Sequence, residues 1–188
     1  MQNLVLTRID DRLIHGQVMT AWIKNRKANQ VVIIDDDVAN DEYMIDVLEM
    51  AIPEEIAIGI FTKEDGVLFF SQGLDEPTIL LVKGPEALNY LVDHGIAIDE
   101  VDVGGMGARN DRSVLYKNIS TSAQENEEFK HTIITVYQTF RIQRSLMFDG
   151  GNRYRGRNGI VGYNRLSHSR RFSVRTLFKR CTDNCCGN

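Results

Sequence analysis

The sequence predicts a single-domain α/β fold, a mostly parallel sheet with crossover helices, followed by a basic appendage. Three observations lead to this reading. Short apolar runs alternate with segments of helical spacing along residues 1–129. That is the pattern of parallel strands joined by crossover helices, because strands covered on both faces are apolar throughout. The 188 residues, 43% of them hydrophobic, can bury one good core, and two full domains would be a squeeze. The charge also changes sign where the periodicity fades. Residues 1–129 hold 10 Lys and Arg against 24 Asp and Glu, whereas residues 130–188 hold 12 against 2. The expected organisation is therefore a domain over 1–140 and a basic, atypical tail over 141–188.

The elements follow in order. Asn3 to Ile9 is a first strand, and Gly16 to Arg26 a helix carrying Val18, Trp22 and Ile23 at helical spacing. A second strand spans Gln30 to Asp35. Asn40 is then expected to cap a helix over Asp41 to Met50, with acidic residues in its first turn. Glu55 to Phe61 and Thr78 to Val82 read as strands, with helices opening at Thr62 and Pro85. Proline suits a first helical position because its missing N–H would have been unpaired anyway, and Gly95 stops that helix. Glu100 to Val103 and a short segment from Tyr116 to Ser120 follow as strands. Ser122 with Glu125 three residues later makes a capping box, and Ile133 to Phe140 reads as a closing strand. There is no internal repeat.

Composition narrows the function classes. No run reaches the roughly 18 apolar residues that span a bilayer, and Met1 to Ile9 leads into charged residues rather than a cleavable signal, so a cytoplasmic protein is expected. The three cysteines, Cys181, Cys185 and Cys186, lie in the last eight residues, so neither a disulfide framework nor a metal spacing runs through the body. A metal site is not expected, nor is a cofactor.

The densest cluster of chemically useful side chains is Arg8-Ile9-Asp10-Asp11-Arg12-Leu13-Ile14-His15-Gly16-Gln17, where the first strand ends and the first helix begins. Ligands of open α/β sheets bind at such strand ends. A helix N-terminus offers free N–H groups and partial positive charge, and Gly16 lets an anion approach the backbone. His15 is the candidate nucleophile, since neutral imidazole, with an ordinary pKa of ~6.5, has a lone pair that can hold and release a phosphoryl group near neutral pH. Arg12, with Arg8 behind it, can direct planar forks of donors at phosphoryl oxygens. Asp10 or Asp11 can orient the imidazole or hold an arginine in place. Asp10, Arg12 and His15 are thus the candidate catalytic residues, with Arg8, Asp11 and Gly16 as phosphate-binding support. Locally the same residues also suit a solvated salt-bridge cluster or a non-covalent anion-binding module, and these alternatives stay open on spacing alone.

Arg8-Ile-Asp-Asp-Arg-Leu-Ile-His15-Gly-Gln-Val18 followed by Ala21-Trp22 resembles the signature of the mannose/sorbose family of enzyme IIB components of the bacterial phosphoenolpyruvate-dependent sugar phosphotransferase system, the PTS. Ile34 to Asp41, Val82-Lys83-Gly84-Pro85-Glu86 and Val103-Gly104-Gly105-Met106 resemble the same family in the same order. The resemblance implies a doubly wound α/β domain with helices on both faces of the sheet, acting as a protein-N(pi)-phosphohistidine–sugar phosphotransferase. The histidine at the position of His15 takes phosphate from a phosphohistidine of a IIA component and passes it to a sugar brought in by the membrane IIC and IID components. It also implies a cytoplasmic protein peripherally associated with the membrane permease. A homo-oligomer is left open.

Other features read more simply. Asp35, Asp36 and Asp37 can be imagined around magnesium or as phosphate acceptors, but they read better as a solvated start of the next connection. Gly104, Gly105 and Gly107 make a turn that can close on the crevice of His15 if the strands are neighbours, and they lack the Lys-Ser/Thr ending of a P-loop. Lys83 stands at a strand end as a solvated lysine or a guide for phosphate. Trp22 reads as an anchor of the first helix, and His94 and His131 as surface residues without obvious partners. The tail has three readings, a frame change that replaced the family's ending, a basic arm for nucleic acid, or a positive segment that folds back on the acidic body, with nucleic acid not the expected partner.

Overall fold

The computed structural model describes residues 1–135 and 140–142. The tail beyond residue 142, with its arginines and cysteines, lies outside the described residues, as do the readings that concern it.

Strands β1 (Leu4–Ile9), β2 (Gln30–Ile34), β3 (Ala57–Phe61), β4 (Thr78–Val82) and β5 (Val101–Val103) lie parallel in one sheet, with a short β8 (Phe140–Ile142) beside β5. The order is β3-β2-β4-β1-β5-β8. Alternate side chains of the same strand feed two separate cores, as a strand period of two requires. Leu6, Val31, Ile33, Ile79 and Leu81 pack with Met19 and Ile23 of helix α1 (Gly16–Arg26) and Leu48 of α3 (Glu42–Met50). Ile9, Val32, Ile34, Leu80 and Val82 pack on the other face with Phe70 of α4 (Lys63–Ser71), Leu88 and Leu91 of α5 (Pro85–Asp93) and Phe129 of α6 (Ala123–Thr135). The expected doubly wound sheet is therefore the observed one.

This topology places a crevice. β1 and β4 are neighbours, yet α1 leaves β1 over one face while α5 leaves β4 over the other. Connections that diverge from adjacent parallel strands open a gap at their carboxyl ends, the usual ligand position of such sheets. The His15 loop leaves from there.

Several local expectations are corrected. The helix over Glu42–Met50 is capped by Asp41, whose carboxylate accepts from the Met44 N–H at 3.1 Å. Asn40 instead donates to the Asp36 carbonyl at 2.8 Å, because a one-turn helix α2 (Asp36–Ala39) intervenes and needs its own end closed. The strand expected over Tyr116 to Ser120 is a hairpin lying apart from the main sheet, β6 (Ser113–Tyr116) and β7 (Ile119–Thr121), turning at Lys117, which adopts a left-handed φ of 43°. Of the closing strand expected over Ile133 to Phe140, Ile133 to Thr135 are instead the end of α6, and residues 136–139 lie outside the described residues. The Ser122–Glu125 capping box starts that helix, the two residues exchanging bonds of 2.8 and 3.1 Å, and burial of Phe129 and Thr132 prolongs it. Phe140–Ile142 form the strand β8.

His94 and His131 also have partners. The His94 ring stacks on Tyr90 and its Nδ1 lies 2.7 Å from the Tyr90 carbonyl, while His131 approaches Asp93 at 3.5 Å.

Candidate functional site

The loop from Asp10 to His15 is fixed at both ends. The Asp10 N–H continues the β1 ladder to the Val82 carbonyl at 2.9 Å, and Leu13 and Ile14 insert into the α1-side core. In seating Leu13 in the core and placing His15 at the start of α1, the chain passes through left-handed backbone twice, at Leu13 (φ 51°) and Gly16 (φ 47°). Glycine adopts this freely, whereas leucine gives up about 1 kcal/mol or more for it, which burial of its side chain offsets. His15 is thereby the N-cap residue of α1. Its side chain makes no capping bond and no acid occupies the first turn, so the positive end of this helix is left to an incoming anion.

Beneath the loop lies a buried charge cluster. Arg8, with a side chain only 3% exposed, donates to Asp10 at 2.8 Å and to Asp102 of β5 at 3.3 Å. The parallel register that sets Arg8 beside Asp102 brings this pair together. Above the same guanidinium is the partly buried ring of Trp22, 5.5 Å from Cζ, so the anchor tryptophan also covers a cation. Arg8 is thus not at the rim facing a phosphate but below it, holding Asp10.

Asp10 in turn accepts from Nε of Arg12 at 3.2 Å and from the Arg12 N–H at 3.3 Å. Burial alone would raise the Asp10 carboxyl pKa. The Arg12 hydrogen bond, the charge of Arg8 and the Gly105 N–H together outweigh that and hold it below its ordinary value of 3.8. The carboxylate stays ionised and fixes Arg12, whose side chain is 50% exposed and stands beside the His15 turn.

The glycine turn does meet this loop, because β5 is the neighbour of β1. Gly105 accepts from the Asp11 N–H at 2.9 Å, and the Gly107 N–H donates to the Asp11 carboxylate at 2.6 Å. A side chain at Gly104 would run into Arg8 and Asp10, and one at Gly105 would lie 2.8 Å from Nη2 of Arg12. Close approach of these side chains explains the glycines. Asp11 also accepts from Arg112 at 3.1 Å, so it too supports the loop instead of facing a phosphate.

The His15 ring rests with Nδ1 3.1 Å from the Leu13 carbonyl oxygen, while Nε2 is buried with no hydrogen-bond partner among the described residues. A carbonyl only accepts, so Nδ1 carries the proton in this resting position and the lone pair is on Nε2.

Sequence reasoning missed Asp102, Arg112 and the supporting role of Glu125. Glu125 stood out as a capping residue, but Arg112 is 101 positions from Asp11 and carries no local signal. Two residues that were weaker candidates in the sequence pair with each other. Lys83 is paired with Asp35 at 2.9 Å, and Asp35 caps α2. Among the described residues no group of acids, histidines or cysteines could hold a metal ion.

A model of the family described as the PTS system sorbose subfamily IIB component matches residues 4–139. The chain belongs to this family. As a PTS IIB component it is a phosphotransferase subunit of the sugar PTS. It is 34% identical over 132 residues to the fructose-specific EIIB component of Bacillus subtilis, covering 69% of this chain and 81% of that one. With the sorbose-specific EIIB component of Klebsiella pneumoniae it shares 35% over 129 residues, covering 68% and 79%. The crystal structure of the IIBSor domain of the sorbose permease from Klebsiella pneumoniae superposes with a TM-score of 0.70 at 34% identity, covering 77% of this chain and 90% of that one. The mannose-specific EIIAB component of Escherichia coli matches over 66% of this chain but only 39% of its own length. Among the described residues of this IIB component, no helix is long and apolar enough to cross a membrane.

Proposed function

We propose that His15 is the phosphoryl acceptor of this IIB component, charged by a phosphohistidine of a IIA protein and discharged to a sugar carried by the IIC and IID membrane components. The observation that carries this reading is the placement of one histidine at an uncapped helix N-terminus, at the switch point of the sheet, beside an arginine held by an ionised aspartate.

In the first step a ring nitrogen lone pair attacks phosphorus and the P–N bond of the donor breaks, its electron pair returning to the donor imidazole. In the second, a sugar hydroxyl oxygen attacks phosphorus, the P–N bond to His15 breaks, and the hydroxyl proton leaves to solvent or base. Arg12 and the first N–H groups of α1 stabilise the phosphoryl oxygens in both. Arg8, Asp10 and Asp102 hold Arg12 in place from below.

The resting ring presents no open lone pair, since Nδ1 faces Leu13 and Nε2 is enclosed. Phosphorylation on Nδ1, the nitrogen of the N(pi)-phosphohistidine class, then requires the ring to turn away from the Leu13 carbonyl and its proton to pass to Nε2. The phosphocarrier domain is residues 1–140, and the protein works in the cytoplasm against the inner face of the permease.

His15→Ala should abolish phosphoryl acceptance from IIA while leaving circular dichroism and the melting temperature close to wild type, because among the described residues the side chain makes one hydrogen bond, to a loop carbonyl. Acceptance retained by this variant would move the site elsewhere.

A further inference from the structure

We propose that Arg112 is a positioning residue for phosphoryl transfer, a buried tie that locks the His15 loop to the glycine turn and to the start of α6. The proposal rests on the phosphocarrier reading of His15 and adds a residue to it. Arg112 lies on the segment between the glycine turn and β6, yet its side chain is only 3% exposed. One arm of the guanidinium donates to the Asp11 carboxylate at 3.1 Å and to the Gly107 carbonyl at 2.9 Å. The other side, Nε and Nη2, forms a bidentate pair with Glu125 at 2.9 and 2.5 Å. Glu125 is itself immobilised by the capping box with Ser122.

The tie therefore runs from a helix start, through one planar cation, to the residue immediately before Arg12. Asp11 meets the glycine turn at two points, its N–H on Gly105 and its carboxylate on the Gly107 N–H, and meets Arg112 at a third. A guanidinium can serve both carboxylates because its donors lie on two edges of a rigid plane, which an ammonium cannot reproduce. Burial favours the neutral form of Glu125, but the hydrogen bond and charge of Arg112, with the Ser122 N–H, hold its carboxyl below its ordinary value.

Arg112 has a second effect, on charge. Asp11 is the chain neighbour of Arg12, the residue that stabilises the phosphoryl dianion. With Arg112 in place its negative charge is compensated, and without Arg112 the carboxylate keeps the Gly107 N–H but adds uncompensated charge close to Arg12 and Glu125. Loss of the tie should thus disturb the reacting geometry more than the docking of the donor protein, which contacts the exposed rim.

The test is steady-state phosphoryl transfer from phosphorylated IIA to the full-length chain, with wild type, Arg112→Ala, Arg112→Gln and Arg112→Lys compared below their melting temperatures. Arg112→Ala and Arg112→Gln should lower kcat on the order of 10- to 100-fold, the scale of a small misplacement of reacting groups, with little change in KM for the donor. Arg112→Lys should recover only part of the rate. Adding Asp11→Asn to Arg112→Ala should restore part of it by removing the unpaired charge. A purely structural role would lower melting temperature without moving kcat in the folded protein, and that result, or a wild-type kcat in both Arg112→Ala and Arg112→Gln, would overturn the proposal. If wild type itself accepts no phosphate, the His15 reading falls first; if wild type reacts and the variants match it, only the role of Arg112 falls.

Discussion

A methyl group added at Gly104 is expected to strain the support of the site from below. An ideal Cβ there would lie 2.5 Å from Cζ of Arg8 and 2.6 Å from Oδ2 of Asp10, whereas real Cβ contacts under 3.0 Å are essentially never seen. Something must move, and each candidate is held. The Gly104 N–H donates to the Ile9 carbonyl at 2.7 Å, and Arg8 is clamped between Asp10 and Asp102. If the guanidinium yields, a buried ion pair opens at a cost of about 3–5 kcal/mol. If the backbone yields, overpacking costs about 1–3 kcal/mol. The cheaper response prevails, so Gly104→Ala should lose about 1–3 kcal/mol, or roughly 3–10 °C in melting temperature for a domain of this size. Thermal unfolding followed by circular dichroism measures it, with Gly84→Ala as the control. No atom lies within 4 Å of a Cβ at Gly84, so that variant should stay within about 1 kcal/mol of wild type. A Gly104→Ala protein that melts with wild type would refute the claim that Arg8 and Asp10 are rigidly placed.

Arg12→Lys should slow phosphoryl acceptance roughly 10- to 100-fold, since an ammonium cannot keep the Asp10 contacts while offering a fork to phosphate; stopped-flow transfer from the IIA donor checks this. Stability should fall in acid with a definite sign. Asp10 and Glu125 titrate below their ordinary values of 3.8 and 4.5 in the folded protein, so the stability they contribute is complete above those values and is lost as pH falls through the lowered ones. Urea titrations from pH 7 to pH 3 should show that loss, and Asp10→Asn should give a flatter acid limb from a lower starting stability. A steeper limb in the variant would contradict the assignment.

Most of the sheet was legible because its strands are short apolar runs bounded by turn residues, and Thr78–Val82 agrees to the residue. The errors arose where tertiary contacts overrode local preference. The β-branched run after Lys130 favours a strand on its own, yet packing of Phe129 and the Thr132–Asn89 hydrogen bond keep it helical. The site was legible as a cluster at a strand end, but not the division of labour within it. Arg8 and Arg12 look alike in sequence, and only the strand alternation and the neighbouring Asp102 send one inward and leave the other at the rim. Arg112 was invisible for the same reason, its partners being remote in the chain.

The phosphocarrier role of His15 is tested most directly by intact-mass analysis and peptide mapping after incubation with phosphoenolpyruvate, the general phosphotransfer proteins and a IIA donor. The expected result is one added phosphate, acid-labile and base-stable, on the peptide that contains His15. A hydroxylamine-sensitive phosphate on the Asp35–Asp37 peptide, or no adduct at all, would contradict it.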